Sequence, residues 1–351
     1  MISSMQSFVD LDKTFAGQPR ELGAILARID TGKGQEGLFV DQMPELLRHL
    51  SEHARIASIT ASNAIEGVVL DSERAEDIAE GARRYRNRNE REFAGYRDAT
   101  DMLMRLDSYE PLTVPFVLHL HRLLFHHTAG NGGRLKSDQN LIVSYENGRR
   151  EIVFTPPTPE ETAFLLNELL IRYGDAKREG RTHPLVLIGA LILDLLAIHP
   201  VADGNGRLAR LVTTHELLAG GYGVARYVSV EQRIYESKNG YYASLYESQR
   251  DWHEGKHDIW PWVTYLARIL SGAYEDFEQR VAAAGKSSGS KQDRVRDYIL
   301  SQAPPVFRRR DIERALPDVS VATIRLVLAD LRDRRKIKPE GSGPGARWHK
   351  L

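Results

Sequence analysis

The residues whose types and spacing could do chemistry lie within HPVADGNGRLAR, His199 to Arg210. His199 is the one side chain of that segment able to exchange a proton near neutral pH. Asp203 offers a hard oxygen of the kind Mg²⁺ takes together with phosphate oxygens. Gly204, Asn205 and Gly206 read as a tight loop, glycine tolerating left-handed backbone angles. Arg207 then opens a new helical period, so the loop sits at a helix N-terminus, where free N–H groups and the macrodipole attract anions. Arg207 and Arg210 are one turn apart and add two permanent charges on that side. Backbone amides, two guanidinium groups, one carboxylate and one base describe a site for a metal–polyphosphate with a base beside it. The plain alternative is a helix–loop–helix corner with an N-cap aspartate. It explains a DGNG loop but not His199, Arg207 and Arg210 at these spacings.

The elements that must hold these groups are mainly helical. Leu185 to Ile198 is apolar nearly all round apart from Asp194, which predicts a buried central helix ending at His199, since Pro200 disfavours continuation. Arg207 to Leu218 has the period of the next helix. Leu46, Leu47, Leu50, Ile56 and Ile59 recur at helical spacing, and Val114–His127, Glu160–Tyr173 and Pro261–Phe277 read as further helices. Leu141 to Pro157 breaks the rule. It has β-branched and aromatic residues on both sides of Asn147-Gly148, the strongest short signal for a two-residue hairpin turn. That turn pairs Glu146 with Arg149, Tyr145 with Arg150 and Val143 with Ile152, and Pro156-Pro157 ends the second strand. Two strands are marginal alone, so the hairpin is either a connector or an edge offered to a partner.

The segment resembles the signature of the Fic family, His-Pro-Phe-x-(Asp/Glu)-Gly-Asn-Gly-Arg-x-x-Arg, at every position except the phenylalanine, which is Val201 here. The order of elements from about Leu112 to Phe277 is also similar to that family. The resemblance implies a mainly α fold with a β-hairpin flap, and transfer of AMP from ATP to a Ser, Thr or Tyr hydroxyl of a target protein or of the chain itself. By the same resemblance His199 removes the hydroxyl proton and Asp203 holds Mg²⁺. Gly204, Asn205 and Gly206 stabilise phosphate charge, while Arg207 binds the departing phosphates and Arg210 the γ-phosphate. Upstream, Ser62 and Glu66 in SNAIEG resemble the family's inhibitory motif. They lie on one helix face, so Glu66 is expected to compete with the γ-phosphate for Arg210. The flap strand, Ile142, Val143, Ser144 and Tyr145, is expected to pair with the target's backbone. Tyr242 and Gln249 are expected beside the adenosine.

Composition bounds the rest. The chain has 351 residues, 48 basic and 48 acidic, with 42% apolar residues, as in an ordinary globular protein of two or three domains. No cysteine is present, which excludes disulfides, cysteine-zinc sites and a cysteine nucleophile. The first fifteen residues lack the pattern of a secretory signal and no stretch reaches membrane-spanning length, so a cytoplasmic protein without membrane partners is expected. From Ser290 onward there are 15 Lys/Arg against 8 Asp/Glu, a balance of +7. The division expected is an N-terminal helical region (1–111), a catalytic domain (112–281), a small polar linker (282–291) and a C-terminal domain (292–351). This last part reads as three helices followed by Gly341, Gly343 and Gly345 and then Arg347 and Trp348, which resembles a winged helix-turn-helix with Ile337–Trp348 as the wing and Ser320 as an N-cap. Its charge suits DNA, but Asp330 and Asp333 interleave with the arginines, so DNA and protein partners both stay open. So does a homodimer. His119, His121, His126 and His127 share one helix without an acidic partner on it and read as core or surface residues.

Two other functions stay open at this point. One is a DNA-binding transcriptional regulator in which the nucleotide is only sensed. The other keeps the fold but removes AMP or uses another nucleotide donor.

Overall fold

The computed structural model describes residues 7–106, 108–130, 132–146, 149–286, 291–341 and 346–351. They form two compact units: residues up to 34 with 54–274, and residues 35–53 with 275–351. The helices preceding the catalytic segment are α1 (Leu11–Phe15), α2 (Arg20–Gln42), α3 (Pro44–Ile65), α4 (Ser72–Ala79), α5 (Arg88–Met104) and α6 (Val114–Leu124). A hairpin of β1 (Ile142–Glu146) and β2 (Arg149–Phe154) follows, then α7 (Pro159–Glu179), α8 (Pro184–Ile198), α9 (Asn205–Ala219), α10 (Val230–Glu236), α11 (Lys238–Gln249) and α12 (Trp260–Lys286).

In the larger unit α8 is the hub. Proline at its first position and the His183 side chain accepting from the Leu185 amide start the helix, and every residue from Leu185 to Ile198 is buried. It packs against α7, α9 and α11. Its one polar residue, Asp194, has no exposure and accepts 2.7 Å hydrogen bonds from the Ser7 hydroxyl and from Trp252 Nε1. Burial pushes its carboxyl up to about 7. α5 crosses α6 at Gly95, where a methyl group would collide with the Leu124 carbonyl, so only glycine permits the approach. The hairpin has the expected register, Val143 opposite Ile152, Tyr145 opposite Arg150 and Glu146 opposite Arg149, with an irregularity at Ile142–Val143. Its expected turn, Asn147-Gly148, lies outside the described residues. The base of the hairpin is anchored by Phe154, which stacks on His253 at 5.1 Å and meets Trp252 edge-on.

The expected linker begins differently. Ala282 to Lys286 are the last turns of α12, because three successive alanines are strong helix formers, and Lys291 already starts α13. The smaller unit contains α13 (Lys291–Asp297), a π-helical turn (Tyr298–Gln302), β3 (Val306–Arg308), α14 (Arg309–Ala315), α15 (Val321–Asp333), β4 (Ile337–Glu340) and β5 (Arg347–Lys350). The sheet order is β3-β5-β4. Val295, Ile299, Phe307, Ile312, Ile324, Val327 and Leu331 fill its core. Ser320 caps α15 by accepting from the Thr323 amide at 3.2 Å. Gly343 and Gly345 lie outside the described residues. Among the described residues no helix is long and apolar enough to cross a membrane.

Candidate active site

His199 caps α8 with φ 52° and ψ 59°, a left-handed conformation that is unfavourable for a residue with a Cβ. Its surroundings over-determine that shape. Asn140 Nδ2 donates to the carbonyls of His199 and Val201, both at 3.1 Å. The Lys136 amide donates to Pro200 at 2.9 Å and its ammonium to the Ile198 carbonyl at 3.0 Å. Val201, where the Fic signature has phenylalanine, is fully buried. The ring of His199 donates from Nδ1 to the Leu196 carbonyl at 3.1 Å, because a carbonyl can only accept. That fixes the tautomer and leaves a lone pair on Nε2. Burial pushes the ring down to about 4, so it is neutral over the physiological range, the charge state a base requires.

The loop after His199 is shorter than the sequence suggests. Gly204, at φ 82°, is the N-cap of α9, and Asn205 and Gly206 already belong to its first turn. The Asn205 side chain is also not turned to a ligand: Oδ1 accepts from the Val201 amide at 3.1 Å and Nδ2 donates to the Val201 carbonyl at 2.6 Å. Its amide side chain braces the loop because a buried strained turn leaves backbone groups to satisfy. His121, expected from the sequence to be a core or surface residue, does the same from α6. Its Nε2 donates to the Asp203 carbonyl at 3.1 Å while its Nδ1 accepts from Gly133.

The two arginines meet carboxylates. Arg210 donates from Nε to the Ser62 hydroxyl (2.7 Å) and from Nη2 to the Ser62 carbonyl (3.0 Å) and Glu66 Oε1 (2.8 Å). Ser62 and Glu66 therefore converge on one guanidinium. A methyl group on Gly206 would collide with the Glu66 carboxylate, so that carboxylate lies against the first turn of α9. Burial alone would raise Glu66, but the charge and hydrogen bond of Arg210 outweigh it and hold the carboxyl below its usual range. Arg207 lies 2.8 Å from Glu92 of α5 and over the Phe125 ring. Asp203, an exposed carboxylate, is 3.2 Å from Arg88. Arg210 Nη1 and Arg207 Nε are buried donors with no acceptor among the described residues, as expected of groups shaped for an anion.

Of the remaining expected residues, Tyr242 is 45% exposed on α11 and lies within electrostatic range of Glu66. Gln249 is buried at the end of α11, and no described hydrogen bond joins it to the turn. Ile142 and Val143 are half-buried on β1; the side chains of Ser144 and Tyr145 lie outside the description. Sequence reasoning missed Lys136, Asn140, Glu92 and Arg88. Glu92 carried a weak signal as the i+4 partner of Arg88, at 2.5 Å. Lys136 and Asn140 carried none, since a loop residue that braces distant carbonyls leaves no periodicity.

The Fic/DOC family model matches residues 111–217. A protein adenylyltransferase Fic from Drosophila yakuba is 29% identical over 209 residues, covering 57% of this chain and 37% of that protein. A protein adenylyltransferase and cysteine protease, IbpA, from Histophilus somni is 36% identical over 114 residues, 32% of this chain and 2% of that protein. The chain thus spans well under half the length of these relatives. Crystal structures of a Fic family protein from Desulfovibrio desulfuricans G20 (TM-score 0.61, 21% identity, 95% of this chain and 96% of that one) and of a Fic domain containing signaling protein from Bacteroides thetaiotaomicron (TM-score 0.61, 22% identity, 76% and 100%) share the fold. The residues that match the Fic/DOC family model contain α6, the hairpin, His199 and both arginines, so the likeness falls on the part of the chain that builds the site.

Proposed function

We propose that the chain is a protein adenylyltransferase restrained by its own Glu66. The observation that carries the reading is a neutral histidine with Nε2 free, next to an amide-rich helix start against which an internal carboxylate lies, bonded to Arg210. The oxygen of a target hydroxyl attacks the α-phosphorus of ATP, the bond to the β-phosphate oxygen breaks, pyrophosphate leaves and His199 takes the hydroxyl proton. Most of the acceleration in such a transfer comes from positioning and charge stabilisation. The first-turn amides of α9 around Gly204 and Gly206 and the unpartnered nitrogens of Arg207 and Arg210 supply that stabilisation. Asp203 would hold Mg²⁺, since it is exposed and its weak surface pair with Arg88 is easily exchanged, and the ion would neutralise phosphate charge.

Glu66 restrains the reaction by holding Arg210 and the ground beside Gly206 that the γ-phosphate needs. Ser62 fixes the helix end that presents it. The hairpin forms a two-stranded sheet with outer edges unpaired among the described residues, which supports a role as the docking strand for the target's backbone. Tyr242 and Gln249 border the adenosine side. The C-terminal unit acts as a winged helix, its net positive charge suiting an anionic partner, and the protein works in the cytoplasm.

The test is mass spectrometry of proteins recovered from a lysate treated with ATP and the Glu66→Gly variant. Peptides carrying one AMP on a hydroxyl are expected, and none when His199→Ala is added. Recovery of a different nucleotide would change the donor, and loss of pre-existing AMP would reverse the direction.

A further inference from the structure

The smaller unit holds a cavity of about 360 Å³ between α14, α15 and β5. That lies within the roughly 300–1,000 Å³ typical of small-molecule pockets. Three of its lining residues are arginines, Arg309, Arg325 and Arg332, and none is acidic. Leu328 and Ala329 give it an apolar floor and Trp348 an aromatic wall. Trp348 is half-buried and packs against the unit's core, so the wall is firm.

Arg325 and Arg332 are not consumed by strong internal pairs, and Arg309 is only partly so. Arg325 has no acidic partner among the described residues. Arg309 Nε lies 2.7 Å from Glu313 Oε1, yet the two are misaligned for a hydrogen bond and both atoms are buried without one. Among the described residues Arg332 pairs only with its neighbour Asp333, and both side chains are more than half exposed, so the pair is weak. Arg325 and Arg332 are two helical turns apart on α15 and face the same cavity. Three guanidinium groups around one hollow repel each other and are relieved by an anion they can grip bidentately. A flat wall beside them adds a surface for an aromatic ring.

We infer that this cavity binds a free nucleotide, its phosphate gripped by Arg325, Arg332 and Arg309 and its base against Trp348. A double-stranded nucleic acid fits less well. Beside the cavity α15 carries Asp330, half-buried, and Asp333, exposed, which oppose a continuous polyanion but lie outside the lining of the hollow. This site is separate from the one containing His199 and does not depend on what that one does.

The test is photo-cross-linking of the full chain with 8-azidoadenosine 5′-monophosphate, followed by peptide mapping, which separates the two sites. Label is expected on peptides containing Trp348 or α15, competed by AMP better than by inorganic phosphate or by a short DNA duplex. The double variant Arg325→Glu/Arg332→Glu changes two exposed side chains and should fold. It should lower that label about tenfold, in line with loss of charge-assisted hydrogen bonds, and leave label in residues 111–249 unchanged. Trp348→Phe, which keeps a ring, should retain most of it. Label confined to residues 111–249, label unaffected by the double variant, or displacement by duplex at lower concentration than by AMP would each overturn the inference.

Discussion

His199 combines an unfavourable backbone conformation with a fixed tautomer, and both depend on neighbours. Asn140 holds the carbonyls on either side of Pro200, so Asn140→Ala frees two acceptors at the base. Each such bond contributes about 1 kcal/mol, but misplacement of a base by about 1 Å can cost on the order of 10²-fold in rate. Asn140→Ala should therefore lower kcat by about tenfold or more, with KM for ATP little changed and only modest loss of stability, as measured by steady-state kinetics and thermal melts. The protonation of His199 sets the acid limb. With the ring held at about 4, the base is neutral above that value and is lost as pH falls through it. The labelling rate should be flat from about pH 6 to 8 as far as His199 is concerned, without the inflection near 6.5 of an ordinary histidine. An acid-limb inflection near 6.5 would contradict the burial of the ring. The signature itself was legible because its residues are contiguous. Their bracing was not, because Lys136, Asn140 and His121 come from other segments and act on backbone atoms that no side-chain pattern reveals.

Among the elements, α8, α9 and the hairpin were legible for simple reasons. A run from Leu185 to Ile198 that is apolar apart from Asp194 is too long for an ordinary strand and reads as a buried helix, and opposite charges flanking Asn-Gly favour one register. The contact of α5 with α6 was not legible, since one glycine inside an ordinary helical pattern says nothing about what crosses it. Gly95 admits the Leu124 carbonyl, and the next residue, Phe125, lies under both Gly204 and the Arg207 guanidinium. Gly95→Ala should force the helices apart, at a cost of about 1–3 kcal/mol for overpacking, and should lower activity as well because Phe125 moves with α6. Urea denaturation together with the labelling rate checks both parts. Retained activity in a destabilised variant would show that α6 does not support the turn. The end of α12 departs from expectation for the opposite reason: a small, alanine-rich stretch reads as a linker, although alanine favours helix.

For the whole molecule, Asp194 ties the central helix to the N-terminal segment and makes stability depend on pH. Its folded carboxyl is held at about 7 against an ordinary 3.8, so between those values the folded chain binds a proton that the unfolded chain releases. That contribution is complete below about pH 4 and is lost as pH rises through about 7. Relative to Asp194→Asn, the natural chain should lose on the order of 1–4 kcal/mol between about pH 4 and pH 8 by urea denaturation. Parallel pH profiles would mean that the carboxyl is not held protonated. The charge asymmetry along the chain and the mainly helical class were both legible from composition and period. The grouping of residues 35–53 with the C-terminal unit was not, because it follows from tertiary contacts rather than from local sequence.

The central claim is that Glu66 and the nucleotide compete for Arg210 and the start of α9. Its most direct measurement is the initial rate of transfer from ATP labelled in the α-phosphate, comparing the natural chain with Glu66→Gly. An interaction of only about 1.4 kcal/mol corresponds to tenfold, so the variant should incorporate label at least about ten times faster, with no incorporation from γ-labelled ATP. Equal rates, or silence from both proteins, would contradict the account.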